Sequence, residues 1–311
     1  MTGCRRSRSV TGAVVGVALL VGGCSSDPAS GAAGPRMEGG VAGLVEIGGG
    51  RQIWVECQGS GSPTVVLVSG AAGAHDDWTH VADGAEPAGI PRPSPSAVLP
   101  GVARFTRACA YDRPGTTLFS GELSPSDPVP QPTTAQDGAA DLGAVLAAVG
   151  EPGPYVLVGA SWGGMLVNSF ARSHPTEVAG LVFVDAASEF LKETLTPQQW
   201  TAWTRAVETS AVSPGGEVPD YDAAVAEIRA SPAMPAVPAV VVTADKPWNL
   251  PVGEAGPTWP AWTAAQDRLA GLLHATHLTD TDSGHAINIE QPGVVVGAVR
   301  EVVDAARRST G

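Results

Sequence analysis

Basic side chains are scarce in this chain: 18 Lys and Arg stand against 31 Asp and Glu among 311 residues, for a formal net charge of −13. Nucleic acid is bound by rows of Lys and Arg set against phosphates, so a chain this poor in them offers no electrostatic footprint for such a partner. Charged residues of either sign reach only 16%, while 43% of the residues are hydrophobic. That balance excludes an intrinsically disordered chain and gives enough apolar surface for one sizeable core. Metal-ligand spacing is missing, since the 6 His are scattered, and no internal repeat stands out. Nothing in the pattern asks for a metal or another cofactor. Cysteine is also rare, with 4 in the chain.

What the first residues do hold reads as an export signal. Arg5, Arg6 and Arg8 precede an apolar run from Val10 to Val21, too short for a comfortable membrane span. The run ends in Leu20-Val21-Gly22-Gly23-Cys24, which resembles a bacterial lipobox, where the cysteine is lipid-modified and becomes the mature N-terminus. The alternative is a plain secretory signal cut at another small residue. Twin-arginine export is a poor fit, because Ser7, Arg8 and Ser9 follow where apolar residues belong. On this reading residues 1–23 are a lipoprotein signal, residues 24–40 a Gly/Ser/Pro/Ala tether, and the protein sits on the outer face of the cell membrane through Cys24. Without the three leader arginines, 15 basic and 31 acidic residues remain, a net −16. Cys4 falls in the leader and Cys24 at the lipobox, which leaves Cys57 and Cys109 for a disulfide in an oxidising compartment, or for two buried thiols.

From Val41 onward strands and helices alternate. Val41 to Ile47 and Arg51 to Gln58 form a hairpin signal around Gly48-Gly49-Gly50. Thr64 to Val68 is apolar without alternation, as in a strand covered on both faces, and runs into the small residues 69–73. Ala103 to Tyr111 reads as a strand, Leu142 to Val149 as a helix, and Val178 to Val184 as a strand closed by Asp185. Between Ser188 and Pro238 the rhythm lapses into helical signals at Pro197–Glu208 and Tyr221–Ala230, which suggests an inserted helical cap over 188–237. A strand at Pro238–Thr243, a helix at Trp259–Leu273, a short strand at His277–Thr281 and an amphipathic helix at Gln291–Arg307 finish the chain. The expected class is α/β: a mainly parallel sheet, helices on both faces and a small helical cap after the sixth strand, with the core over 41–187 and 238–311.

The stretch that organises the rest is Pro154–Phe170. Tyr155 to Val158 reads as a buried strand, Met165 onward as a helix, and between them stands Gly159-Ala160-Ser161-Trp162-Gly163, a G-x-S-x-G match. A serine in that strand-to-helix turn is exposed, beside helix N–H groups that favour a developing negative charge. Its hydroxyl needs a base, a group to orient that base, and donors for an oxyanion. His285, in the Gly-flanked segment Ser283-Gly284-His285 after the last strand, is the candidate base.

The order of these pieces resembles the α/β-hydrolase family over nearly all of residues 41–308, in its lid-bearing esterase and lipase-like branch. The resemblance rests on CQGSGSPTVVLVSGAAG at 57–73, CAYDRPG at 109–115, GPYVLVGASWGGM at 153–165, VAGLVFVDA at 178–186 and SGHAINIEQP at 283–292. It implies Ser161 as nucleophile, His285 as base, an oxyanion hole from the N–H groups of Ala71 and Trp162, and Asp112 as a turn-stabilising residue. It also places the strand of Cys57 beside that of Cys109. Ala160, Ser69 and Thr117 depart from the family's usual residues, at positions that bear on loop shape. Two carboxylates remain open for the triad acid: Asp185, favoured at the end of the strand before the cap, and Asp245, after the strand that follows it. The implied reaction is ester hydrolysis of a small molecule, through an acyl-enzyme on Ser161. Amide or thioester hydrolysis, or a non-catalytic cell-surface binding protein on the same scaffold, are the alternatives. Trp200, Trp203, Trp248, Trp259 and Trp262 are candidates to line an apolar acyl pocket or to anchor the core.

Overall fold

Strands that are apolar at successive positions must be covered on both sides, and that requirement sets the architecture. The computed structural model describes residues 40–82, 90–209 and 214–309. Eight strands form one sheet: β1 (Val41–Glu46), β2 (Gln52–Gln58), β3 (Val65–Val68), β4 (Ala108–Tyr111), β5 (Tyr155–Ala160), β6 (Val178–Val184), β7 (Ala239–Val242) and β8 (Thr276–Leu278). Their spatial order is β1-β2-β4-β3-β5-β6-β7-β8. β1 and β2 form an antiparallel hairpin, β2 pairs antiparallel with β4, and every later pairing is parallel. Gly48, Gly49 and Gly50 all carry positive φ at the hairpin tip, which explains the glycine run there.

Alternate residues of the central strands point to opposite faces. Val66, Val68, Leu157, Leu181, Phe183 and Val241 join one apolar cluster; Val65, Leu67, Val156, Val158, Val182 and Val240 join the other. The first is covered by α2 (Ala135–Ala148), α3 (Trp162–Ser173) and α6 (Trp259–Leu273). The second is covered by α1 (Val98–Ala103) and α7 (Pro292–Ser309). Between β6 and β7 lie α4 (Pro197–Thr209) and α5 (Tyr221–Ala230), the expected cap.

Several boundaries differ from the expected ones. Residues 98–103 are helix, so the strand expected from Ala103 begins only at Ala108. Val98, Leu99 and Val102 bury one helical face, and Pro100 sits in the first turn, where its missing N–H has no intrahelical acceptor. The helix expected from Leu142 begins at Ala135, because the Thr134 side chain accepts from the Asp137 N–H while the Asp137 carboxylate accepts from the Thr134 N–H. The last strand covers Thr276–Leu278 rather than reaching Thr281.

Candidate active site

The abrupt passage from β5 to α3 through the single residue Ser161 depends on the glycines on either side, Gly159 and Gly163. Ser161 sits at φ 47°, ψ −120°, outside the regions that a residue with a side chain prefers. A Cβ on Gly163 would meet the Val68 carbonyl oxygen at 2.2 Å, and one on Gly159 would meet the Gly163 carbonyl oxygen at 2.6 Å. Main-chain bonds hold the strained residue from both sides. The Ser161 N–H donates to the Val184 oxygen at 3.2 Å, and the Ser161 carbonyl accepts from the N–H groups of Gly164 at 3.0 Å and Ala187 at 2.9 Å. The serine is thereby fixed against the end of β6, where Asp185 begins.

His285 reaches this serine from the loop after β8. Its Nε2 lies 3.1 Å from Ser161 Oγ and its Nδ1 lies 2.7 Å from Asp185 Oδ2. Asp185 is fully buried, and burial of a carboxylate is tolerated where donors surround it. Four groups do so: His285, the Trp248 indole N–H at 3.0 Å, the Trp262 indole N–H at 3.0 Å and the Ala244 N–H at 3.2 Å. The Trp248 ring also packs against the imidazole, 4.0 Å centroid to centroid and tilted by 36°. Trp248 and Trp262 were expected as pocket or core residues, and their role as donors to the acid has no local signal in the sequence.

Asp245, the other carboxylate that the sequence left open, is exposed and turned elsewhere. It accepts from the N–H groups of Asp282 and Ser283, each at 2.9 Å, and of Thr281 at 3.2 Å. These main-chain donors, Asp282 first, hold its carboxyl below the usual range. It shapes the loop leading to His285. Glu290 completes that loop, accepting from Ser283 Oγ and the Gly284 N–H, both at 2.8 Å.

The loop after β3 passes directly over the serine. A Cβ on Gly70 would stand 3.2 Å from Ser161 Cβ. Ala71 lines the same cavity as Ser161, and Trp162 is the first residue of α3, so its N–H belongs to a helix turn without intrahelical acceptors. Three buried side chains set the loop's shape. Arg113 donates to the carbonyls of Ser69 at 3.0 Å and Gly70 at 2.6 Å, and it pairs with Glu217 of the cap at 2.6 Å. Glu217 in turn accepts from the Ala72 N–H at 2.8 Å. Ser69 donates to the Ala74 carbonyl at 2.8 Å, and the Thr117 N–H donates to the Ala72 carbonyl at 2.7 Å. Asp112 lies behind this loop, accepting from the His75 N–H at 2.5 Å and from Ser124 Oγ at 2.7 Å.

A cavity of about 380 Å³ opens above Ser161 and His285. Trp203, Trp248, Trp262 and Tyr221 are among its walls, together with Asp77. Burial, then the charge of Asp76, pushes the Asp77 carboxyl up to about 7. Trp200 is buried beside Trp203 and donates to Asp222 at 3.1 Å, and Trp259 packs on the core. Cys57 and Cys109 face each other across β2 and β4 and form a disulfide. Cys24 and the leader lie outside the described residues.

A family profile described as the alpha/beta hydrolase fold matches residues 63–237, more than half of the chain. Solved structures of similar shape include an N-acyl homoserine lactone degrading enzyme, with a TM-score of 0.56 and 17% identity over 84% of this chain and 100% of that one. A putative aryl esterase from Burkholderia cenocepacia gives 0.53 and 16% over 86% and 100%. A carboxylesterase from Bacillus subtilis gives 0.55 and 16% over 85% and 91%. Among curated sequences, an uncharacterized protein of Schizosaccharomyces pombe is 40% identical over 91 residues, 29% of this chain and 16% of its own length. The chain thus spans about a sixth of that curated relative.

Proposed function

Since the chain belongs to the α/β-hydrolase fold family, we propose that it is a serine hydrolase that cleaves a carboxylic ester. The observation that carries this reading is the unbroken line from Asp185 Oδ2 through His285 to Ser161 Oγ, with contacts of 2.7 and 3.1 Å. His285 Nε2 takes the proton as Ser161 Oγ attacks the ester carbonyl. Asp185 accepts from Nδ1–H, which holds the other nitrogen free to act as a base and stabilises the imidazolium. The N–H groups of Ala71 and Trp162 receive the oxyanion. His285 then returns the proton to the leaving alcohol, and water, activated by the same histidine, releases the acid from Ser161.

Ester is favoured over amide and thioester by the kinship of fold with the aryl esterase and the carboxylesterase and by an aromatic cavity open to small acyl groups. A binding protein on the same scaffold would have no use for an acid saturated by four donors and aligned with a base. We place the protein on the outer face of the membrane, held by a lipid on Cys24; detergent phase partitioning of wild type beside Cys24→Ala reads this, and equal partitioning would refute it. The central test is hydrolysis of p-nitrophenyl butyrate with labelling by a fluorophosphonate. Wild type should do both, and Ser161→Ala should label not at all and lose about 10⁶ in turnover. Absence of Ser161-dependent labelling would turn the assignment to the binding protein.

A further inference from the structure

Of the acids behind the loop that follows β3, two are engaged with neighbouring donors. Asp112 accepts from His75 and Ser124, and Asp76 accepts from the Phe119 N–H at 2.6 Å. Asp77 has the Ser69 hydroxyl beside its carboxyl and differs from both in lining the cavity over Ser161. Its side chain packs against Gly73, where a Cβ would collide with Oδ2 at 2.0 Å. The Asn288 amide donates to its main-chain oxygen at 2.8 Å, which pins this residue to the segment just after His285. Among the described residues, no Lys or Arg lines that cavity. Arg113, the cation that acts on Asp77, is held by Glu217 and by the carbonyls of Ser69 and Gly70. The rest of the wall is rich in indole and phenol rings, from Trp203, Tyr221, Trp248 and Trp262.

A carboxylate that lines a cavity among aromatic rings, and whose nearby cation Arg113 is already paired with Glu217, is suited to a cationic guest. Ring faces attract ammonium groups, and a partner charge removes the cost of ionising the buried acid. Anionic acyl groups meet repulsion at the same spot, and the chain's net charge of −13 adds a field of the same sense. We infer that Asp77 is the specificity residue of this cavity and that the preferred substrates are esters carrying an ammonium group. This rests on the serine-hydrolase reading above. The perturbation of Asp77 agrees with it: an acid pushed up to about 7 by burial ionises readily once a cation is bound beside it.

The test compares kcat/KM on two matched pairs, one for each side of the ester. On the alcohol side the pair is butyrylcholine and 3,3-dimethylbutyl butyrate. On the acyl side it is the p-nitrophenyl esters of 4-(trimethylammonio)butanoate and 5,5-dimethylhexanoate. Wild type should prefer the cationic member of at least one pair by about tenfold or more, and Asp77→Asn should bring that ratio to within about twofold of unity. No cationic preference in either pair overturns the inference, as does a preference that survives Asp77→Asn. Should Asp77→Asn fail to fold, the wild type alone decides: choline should slow fluorophosphonate labelling of Ser161 about tenfold more than 3,3-dimethylbutanol at equal concentration, and equal protection overturns the inference. Turnover of the neutral esters without cationic preference sinks only the role of Asp77. Failure of every ester, with no Ser161-dependent labelling, sinks the hydrolase reading itself.

Discussion

At the scale of single residues, the acid is the position where sequence left two answers and contacts favour one. Asp185 is fully buried and receives His285 Nδ1 together with two indole N–H groups, whereas Asp245 is given over to the main chain of residues 281–283. Asparagine at 185 keeps the shape but offers His285 an amide, which stabilises the wrong tautomer and no longer balances an imidazolium. In a well-characterised triad that change costs about 10⁴ in turnover. Steady-state kinetics on p-nitrophenyl butyrate should therefore show Asp185→Asn falling by several orders of magnitude and Asp245→Asn remaining within about tenfold of wild type. The reverse order would move the acid to Asp245. Ser161 and His285 stood out as candidates in the sequence because each sits in a short glycine-marked turn, where the proposed chemistry and the turn share a handful of residues. The choice of acid was not legible in this way. It depends on Trp248 and Trp262, which lie 63 and 77 residues away along the chain and meet Asp185 only in the folded sheet.

Among elements, a buried ion pair joins the cap to the loop that passes over Ser161. Arg113 follows β4, Glu217 precedes α5, and between them they grip Ser69, Gly70 and Ala72. Ala71 lies inside that grip, so its N–H direction follows from both elements. Glu217→Gln leaves Arg113 buried without its counter-charge and loosens the hold on Ala72. We expect kcat on p-nitrophenyl acetate, a substrate too small to need the cap, to fall about ten- to hundredfold with KM nearly unchanged, short of the 10²–10³ that loss of a whole oxyanion donor costs. Turnover is to be counted per site titrated with fluorophosphonate, so that simple unfolding does not mimic the effect. An unchanged kcat per titrated site would leave the pair a purely structural clasp. The sequence announced neither partner's role: Arg113 stands in a conspicuous D-R-P-G turn, but Glu217 is one acid in an irregular stretch 104 residues on. Element limits failed for related reasons. The strand expected over Ala103–Tyr111 takes in the last residue of α1 and the turn after it, because Ala103 and Phe105 continue the apolar residues of the true strand, while the alanine-rich start of α2 carries too few large apolar residues to show a period.

The whole molecule is stitched across the antiparallel edge of an otherwise parallel sheet. Cys57 of β2 and Cys109 of β4 stand directly opposite in register, buried at 0% and 2% exposure, and their disulfide closes a loop of 52 residues. That loop holds β3, the loop over Ser161, Asp77 and α1, so the bond restricts the unfolded chain around the region from which much of the site is drawn. In the chain-entropy account such a closure is worth about 4 kcal/mol. A chain with net charge −13 also repels itself when compact, which makes a covalent link more consequential than in a balanced one. Replacing both cysteines by alanine should lower Tm by roughly 10 °C for a domain of this size. The register of β2 and β4 is set independently by their ladder and side chains, so turnover of p-nitrophenyl butyrate at 25 °C should stay within a few-fold of wild type. Differential scanning calorimetry of the oxidised wild type beside Cys57→Ala/Cys109→Ala reads the first expectation and an esterase assay the second. Equal melting temperatures would mean that the reduced chain's unfolded state is already confined between β2 and β4. A large loss of turnover at unchanged secondary structure would mean that the bond sets the position of Asp112 and Arg113, and through them the loop above the serine.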